Sequence, residues 1–350
     1  MQRAFLFFVS GWLTAVATHA AGAELVSVQK IWDLGAHNAF TDLRRWHGQW
    51  WCVFREADAH VGGDGAIRVI VSADGEKWES AAALIERDVD LRDPKLSVTP
   101  DDRLMIVCGG SIYLGTKVLK GRQPRVVFSA DGRKWSEPVK VLESGDWLWR
   151  VTWHQGVAYG VSYRPAPAAE GKAPTGDGVL LLFRSRDGLA WETVSRMEVP
   201  NRPNETTLRF RKDGTMIAMV RREEGDRLGW FGEAKPPYTR WTMHPSNLRL
   251  GGPDFIELPD GRWIAGTRIY AKNAGGPADK TGTIVAGIDR EFQLQPLLTL
   301  PSGGDTSYPG FGWHEGLLWT SYYSSHEGKT AIYLAKIRLA GAAGSAPPQR

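Results

Sequence analysis

Three copies of one seven-residue pattern, Ser72-Ala73-Asp74-Gly75-Glu76-Lys77-Trp78, Ser129-Ala130-Asp131-Gly132-Arg133-Lys134-Trp135 and Ser185-Arg186-Asp187-Gly188-Leu189-Ala190-Trp191, recur 57 and 56 residues apart. In each copy Asp and Gly favour a tight turn, the Ser hydroxyl reaches back across it, and the Trp folds onto the hairpin as an apolar pin. A fixed period of this length marks an array of similar β units closed into one body.

A second period covers the chain. A strand, a polar turn and an apolar second strand recur around His47-Gly48, Asp101-Asp102, Gln155-Gly156, Asp213-Gly214, Asp260-Gly261 and Glu315-Gly316. The second turn residues lie 54, 54, 58, 47 and 55 positions apart, the length of a four-stranded blade with its loops. Six blades fill the chain from about Ala36 to Leu339, and the spare strand Leu25 to Trp32 is expected to complete the last blade and close the ring. With 40 Gly, 20 Pro, 16 Trp and no long helical periodicity, the expected fold is an all-β six-bladed propeller.

Met1-Gln2-Arg3, the apolar Ala4 to Ala17 and the small residues Ala21-Gly22-Ala23 read as a secretory signal peptide. The apolar run falls short of the roughly 20 residues that span a bilayer. The expected organisation is a leader over 1–23, one propeller domain over 24–340 and a disordered tail over 341–350, in an exported, periplasmic or secreted monomer. A pI near 9.0 and a net charge of +4 suit an anionic partner. The basic residues are scattered, which argues against nucleic acid. Cys52 and Cys108 fall in the second strands of the first two repeats, either paired across adjacent blades or as buried free thiols.

Equivalent positions locate a site. Seven or eight residues past each turn stand Arg55, Gly109, Arg164, Arg221 with Arg222, Arg268 and Tyr323. The first strands begin with His37 and Asn38, Arg92 and Asp93, Trp149 and Arg150, Glu205, Asp254, and Asp305 with Tyr308. In a propeller both sets of strand ends meet at one mouth. Arginines clustered there suit bidentate capture of a carboxylate, so the expected ligand is an anion, held by Arg55, Arg92, Asp93, Arg150, Arg164, Arg221, Arg222, Asp254, Arg268 and Tyr323. Arg92 and Asp93 are also candidates to pair with each other. Neither a cofactor nor a metal site is expected.

The seven-residue patterns, the six units and the order of charged residues resemble the sialidase superfamily, whose Asp-box the repeats match. That resemblance implies Tyr308, in Ser307-Tyr308-Pro309-Gly310, as nucleophile and Glu205, in Asn204-Glu205-Thr206-Thr207, as its partner. It further implies Arg221 or Arg222 and Arg268 as carboxylate clamp, with an acidic glycan as partner and hydrolysis of its terminal acidic sugar, sialic acid or a related one, as the activity. A phenol near pKa 10 attacks only when a carboxylate takes its proton, and a neutral phenol avoids repelling an anionic sugar. Where the family opens its first blade with an Arg-Ile-Pro segment, this chain has His37-Asn38-Ala39-Phe40. The family's general acid lies in the loop after the second strand, which here offers Asp58, His60 and Asp64.

His37 and His60 bring in a second chemistry, β-elimination on a uronate-containing glycan. There the histidines and Tyr308 or Tyr323 move protons while arginine neutralises the carboxylate. A non-catalytic glycan-binding propeller is the third reading.

Overall fold

The computed structural model describes residues 22–62, 64–115, 118–165 and 177–341. The expected leader, apart from Gly22 and Ala23, and the expected tail beyond Gly341 lie outside them. Six four-stranded antiparallel sheets form the blades of a β-propeller. The chain opens with β1 (Ala23–Trp32) and then builds blade one from β2 (His37–Trp46), β3 (Gln49–Ala57), β4 (Ala66–Ser72) and β5 (Glu79–Leu84). Blade two is β6 (Asp90–Val98), β7 (Leu104–Leu114), β8 (Val118–Ser129) and β9 (Val139–Lys140), and blade three is β10 (Trp147–His154), β11 (Val157–Pro165), β12 (Asp177–Ser185) and β13 (Glu192–Met197). Blade four is β14 (Pro203–Phe210), β15 (Met216–Arg222), β16 (Leu228–Ala234) and β17 (Thr242–Arg249). Blade five is β18 (Asp254–Glu257), β19 (Trp263–Ile269), β20 (Gly282–Ile288) and β21 (Leu294–Thr299). The last blade joins β22 (Thr306–His314), β23 (Leu317–Ser324) and β24 (Ala331–Leu339) to β1 as its outer strand. Ala23 pairs with Leu339 in that seam, so the ring closes through hydrogen bonds and β1 covers the edge of β24.

All six polar turns fall between the first and second strands of their blades, and the three repeated patterns join third to fourth strands in blades one to three. In the first pattern the Ser72 hydroxyl accepts the Gly75 amide at 2.8 Å, Asp74 accepts the Glu76 and Lys77 amides, and the Trp78 indole donates to the Gly75 carbonyl. The other two copies repeat these bonds. Gly75 takes φ +76°, and a Cβ there would stand 2.3 Å from the Trp319 ring of blade six. The turn therefore needs glycine twice, for its dihedral and for the aromatic ring it lies against.

Strand alternation sends Trp50, Cys52 and Phe54 to one face of blade one and Trp51 and Val53 to the other. That alternation decides the cysteines. Cys108 packs with Trp51 and Val53, on the face that Cys52 turns away from, and both remain buried free thiols. The disulfide alternative is thereby corrected. Burial pushes the Cys108 thiol up to about 12 and the Cys52 thiol higher still. No helix among the described residues is long and apolar enough to cross a membrane.

One backbone feature positions the site. In five blades the innermost strand carries a β-bulge, one extra residue against its partner, at Phe40–Thr41, Asp93–Pro94, Trp149–Arg150, Asn204–Glu205 and Tyr308–Pro309. Phe40, Asp93 and Tyr308 adopt φ of +65°, +49° and +55° there. A bulge breaks the two-residue alternation and re-aims the side chain it carries. The five bulges occupy equivalent places in their blades.

Candidate functional site

The bulges of blades four and six bring Glu205 and Tyr308 together. The Tyr308 hydroxyl donates to Glu205 Oε1 at 2.6 Å, and Arg221 Nη1 lies 2.6 Å from the same oxygen and 3.4 Å from the phenol. The Gly252 amide donates to Glu205 Oε2 at 2.8 Å. Gly252 has φ +60°, and a Cβ on it would stand 2.4 Å from the Tyr308 ring, so glycine both points this amide at the carboxylate and leaves room for the phenol. Burial opposes charge on Glu205, yet Arg221 and the hydrogen bonds from Tyr308 and Gly252 hold its carboxyl below the usual range. Burial and the adjacent Glu205 push the Tyr308 phenol well above its ordinary value, with Arg221 pulling against them. The pair is thus a carboxylate and a neutral phenol joined by a short hydrogen bond. Glu223 binds the other side of Arg221 and also Arg249, 3.2 Å away.

A second group lies beside it. His37 Nε2 and His60 Nδ1 reach the same oxygen, Oδ2 of Asp305, at 3.1 and 2.7 Å, and the Tyr323 hydroxyl donates to Oδ1 at 2.7 Å. Burial raises the Asp305 carboxyl, but the bonds from both histidines and Tyr323 outweigh it and hold the group far below the usual carboxylate range. Phe40 ties the two groups, its ring centroid 4.9 Å from that of Tyr308, 5.5 Å from Tyr323 and 5.2 Å from His60.

The arginines divide. Arg55, fully buried, grips Asp90 with two bonds of 2.6 and 2.9 Å and holds the Ala59 and Gly62 carbonyls of the following loop. Arg164 makes the same fork onto Asp146, and Arg222 binds Asp226 and the Pro200 and Leu228 carbonyls. These three are taken up by scaffold, because each strand end that carries an arginine also has a carboxylate or carbonyls in reach. Arg150 joins Asp42 at 2.7 Å and Asp254 at 3.3 Å, while Arg209 binds Asp254 at 2.6 Å. These buried pairs stitch blades one, three, four and five below the mouth. Arg268 is different: its Nε donates to the Thr306 carbonyl, its Nη2 to Tyr323 at 3.3 Å, and Asp305 is 4.0 Å away. Nη1 of Arg268 and Nη2 of Arg92 make no hydrogen bond among the described residues.

Asp93 is not the partner of Arg92. Arg92 turns instead to Asp90 at 3.2 Å and to the His60 carbonyl at 2.8 Å, because the bulge sends the two neighbours different ways. The Asp93 carboxyl has no hydrogen bond among the described residues and is 8% exposed. Burial raises it, and Arg92 and Lys95 only partly oppose that shift. Of the loop after β3, His60 reaches Asp305, whereas Asp58 and Asp64 are exposed and make no side-chain hydrogen bond among the described residues. Trp149 packs edge-on to Tyr308 at 5.6 Å and is itself buried, so it supports the phenol from below.

Several members of the site have no sequence signal of their own. Asp90 and Glu223 each neutralise an arginine, Arg249 pairs with Glu223, and Phe40 and Lys95 face the Tyr308 ring, with Lys95 Nζ 5.4 Å from its centroid. Glu223 adjoins the Arg221-Arg222 pair and was findable by its charge. Arg249 stands at the end of an outer strand with nothing to distinguish it. A surface groove between Arg211, Glu233, Lys235 and Arg240 on the outside of blade four contains none of the mouth residues.

Six blades around this mouth make the chain a six-bladed β-propeller. Its neighbours among solved structures agree on the fold. A protein of unknown function from Dyadobacter fermentans superposes with a TM-score of 0.78 at 17% identity, covering 91% of this chain and 100% of that one. Trypanosoma rangeli sialidase in complex with sialic acid gives 0.66 at 12% identity, covering 93% of this chain, which spans 60% of the sialidase. An α-L-arabinofuranosidase from Fusarium graminearum bound to an iminosugar inhibitor gives 0.66 at 12% identity, covering 90% of this chain and 98% of that one. No protein-family model and no curated protein matches the chain. The shared fold is thus one that glycoside hydrolases of two substrate types use.

Proposed function

We propose that the protein is an exo-acting glycoside hydrolase that removes a terminal acidic sugar with retention of configuration. One observation carries this reading: the 2.6 Å hydrogen bond from Tyr308 to Glu205, with Arg221 on the same oxygen. Tyr308 oxygen attacks the anomeric carbon as its proton passes to Glu205, and the glycosidic bond breaks as the leaving oxygen takes a proton from Asp93. Water then attacks the glycosyl-tyrosine, giving its proton to Asp93, while Glu205 returns the first proton to Tyr308. Asp93 suits the acid role because burial raises its pKa and no partner competes for its proton. The free donors of Arg268 and Arg92 are positioned to hold the sugar carboxylate, and Arg221, engaged by Glu205 and Glu223, instead balances the charge of the pair.

The test is an aryl-glycoside panel carrying sialic and uronic acids, scored for aglycone release and for the ultraviolet absorbance of an unsaturated uronate. Release without absorbance, abolished by Tyr308→Phe, is the expected result. An absorbing product would assign β-elimination instead, and no turnover on any substrate would leave a binding propeller.

A further inference from the structure

His37, His60 and Asp305 are separated by 23 and 245 residues of sequence, yet ring closure brings them to one side of the mouth. Hydrolysis by Tyr308 and Glu205 does not use them. We propose that they form a three-ligand site for a divalent transition-metal ion of the zinc class, through His37 Nε2, His60 Nδ1 and an oxygen of Asp305.

Three features argue for it. The donor atoms all lie within 4.8 Å of one another. They are two imidazole nitrogens and one carboxylate oxygen, the borderline donors that zinc, cobalt and nickel prefer. Bonds of about 2.0–2.2 Å in tetrahedral geometry separate donors by roughly 3.3 Å. The present nitrogen-to-oxygen distances of 3.1 and 2.7 Å therefore need to open by roughly 0.2 and 0.6 Å, with the two nitrogens, now within 4.8 Å of each other, settling to the same separation. The loop backbone is held by Arg55 and Arg92, and the exposed His60 side chain has room to adjust by rotation.

The surroundings are those of a supported ligand set. Tyr323 fixes the Asp305 carboxylate through its other oxygen at 2.7 Å, the kind of outer contact that orients a ligating carboxylate. His37 is 9% exposed, and its Nδ1 makes no hydrogen bond among the described residues, so an ion taken up at Nε2 breaks no bond at the other ring nitrogen. His60 has 48% of its side chain exposed, which gives an ion a way in and leaves a position open toward the mouth for water or a sugar oxygen. Arg268, 4.0 Å from Asp305 Oδ1, and Arg92, whose Nη1 donates to the His60 carbonyl, are cations that oppose the ion. They place the expected affinity in the micromolar range instead of that of a closed structural zinc site. A metal on the His60 nitrogen occupies the lone pair a base would need, so occupancy of this site and elimination by His60 exclude each other.

The proposal stands whether or not Tyr308 is the nucleophile, because its test uses no substrate. Untagged protein, stripped with chelator and dialysed, is titrated with Zn²⁺ by calorimetry and with Co²⁺ by visible absorption. One ion per chain is expected, with the intense d–d absorption of low-coordinate cobalt. His60→Ala and Asp305→Asn should each weaken binding at least tenfold, and His47→Ala, in a remote turn, should leave it unchanged. His60 is exposed, so its variant keeps the fold, which circular dichroism checks. Absence of saturable one-to-one binding up to 100-fold above the expected range overturns the site, as does binding that neither variant weakens.

Discussion

Replacing Glu205 by glutamine keeps the shape of the side chain and breaks the logic of the site. Oε1 faces two donors, the Tyr308 hydroxyl and Arg221 Nη1, and Oε2 faces a third, the Gly252 amide. A glutamine has one acceptor oxygen. With that oxygen at the Oε1 position its NH₂ group meets the Gly252 N–H, and with it at the Oε2 position the NH₂ meets Arg221. Either rotamer leaves a buried donor unsatisfied, worth about 1–3 kcal/mol. Breaking a buried ion pair by removing one charge costs about 3–5 kcal/mol, reduced here because Glu223 still holds Arg221. The expected loss of stability for Glu205→Gln is therefore about 3–4 kcal/mol by urea unfolding. With no carboxylate to receive the phenol proton, kcat should fall by roughly 10²–10⁴, measured well below the denaturation midpoint. Turnover within threefold of the parent in a variant that shows the destabilisation would refute the reasoning: the contacts would be structural and Glu205 would have no part in proton transfer.

Other expectations concern the acid, the clamp and the turns. Asp93 must be protonated to act as acid and its pKa is raised, so activity should fall as pH rises through that pKa. Asp93→Asn should remove this alkaline limb and slow poor leaving groups far more than activated aryl ones; equal slowing of both would exclude the role. Glu205 must be ionised and its pKa is lowered, so the acidic limb should lie below the ordinary glutamate range. Arg268→Ala should raise KM for the acidic sugar by roughly 10- to 150-fold, the worth of a charged hydrogen bond, and affect the methyl ester much less. Gly75→Ala forces a side chain into φ +76° at 2.3 Å from Trp319, whereas Gly48→Ala meets only the φ of +74° with nothing within 4 Å. Urea unfolding should therefore give about 2–5 kcal/mol for the first and about 1–2 kcal/mol for the second.

The repeat made the fold legible because each blade writes its own turn: a polar residue, followed by Gly in five of the six blades, sits between the inner strands, and Asp-Gly recurs three times on outer ones. The spare strand before His37 was legible for the same reason, as a strand without a blade. Glu205, Tyr308 and Arg268 could be found because the phase of the repeat locates strand ends. Position at a strand end does not say which way a side chain points. Arg55, Arg164 and Arg222 share the register of Arg268 yet are consumed by Asp90, Asp146 and Asp226. The difference lies in which carboxylates the folded chain places beside them. The five bulges left no distinctive residue type behind, since they occur at Phe40, Asp93, Trp149, Asn204 and Tyr308 alike. They are set by how inner strands crowd at the channel, a property of the closed ring. The convergence of His37, His60 and Asp305 likewise exists only once blade six meets blade one.

The central claim is that Tyr308 forms a covalent bond to the sugar. A fluorinated acidic glycoside with an activated leaving group slows breakdown of such an intermediate, and intact-mass spectrometry followed by peptide mapping locates the adduct. One added glycosyl unit on Tyr308, absent in Tyr308→Phe, is the predicted result; an adduct on another residue, or turnover of the substrate class with no adduct at all, would contradict it.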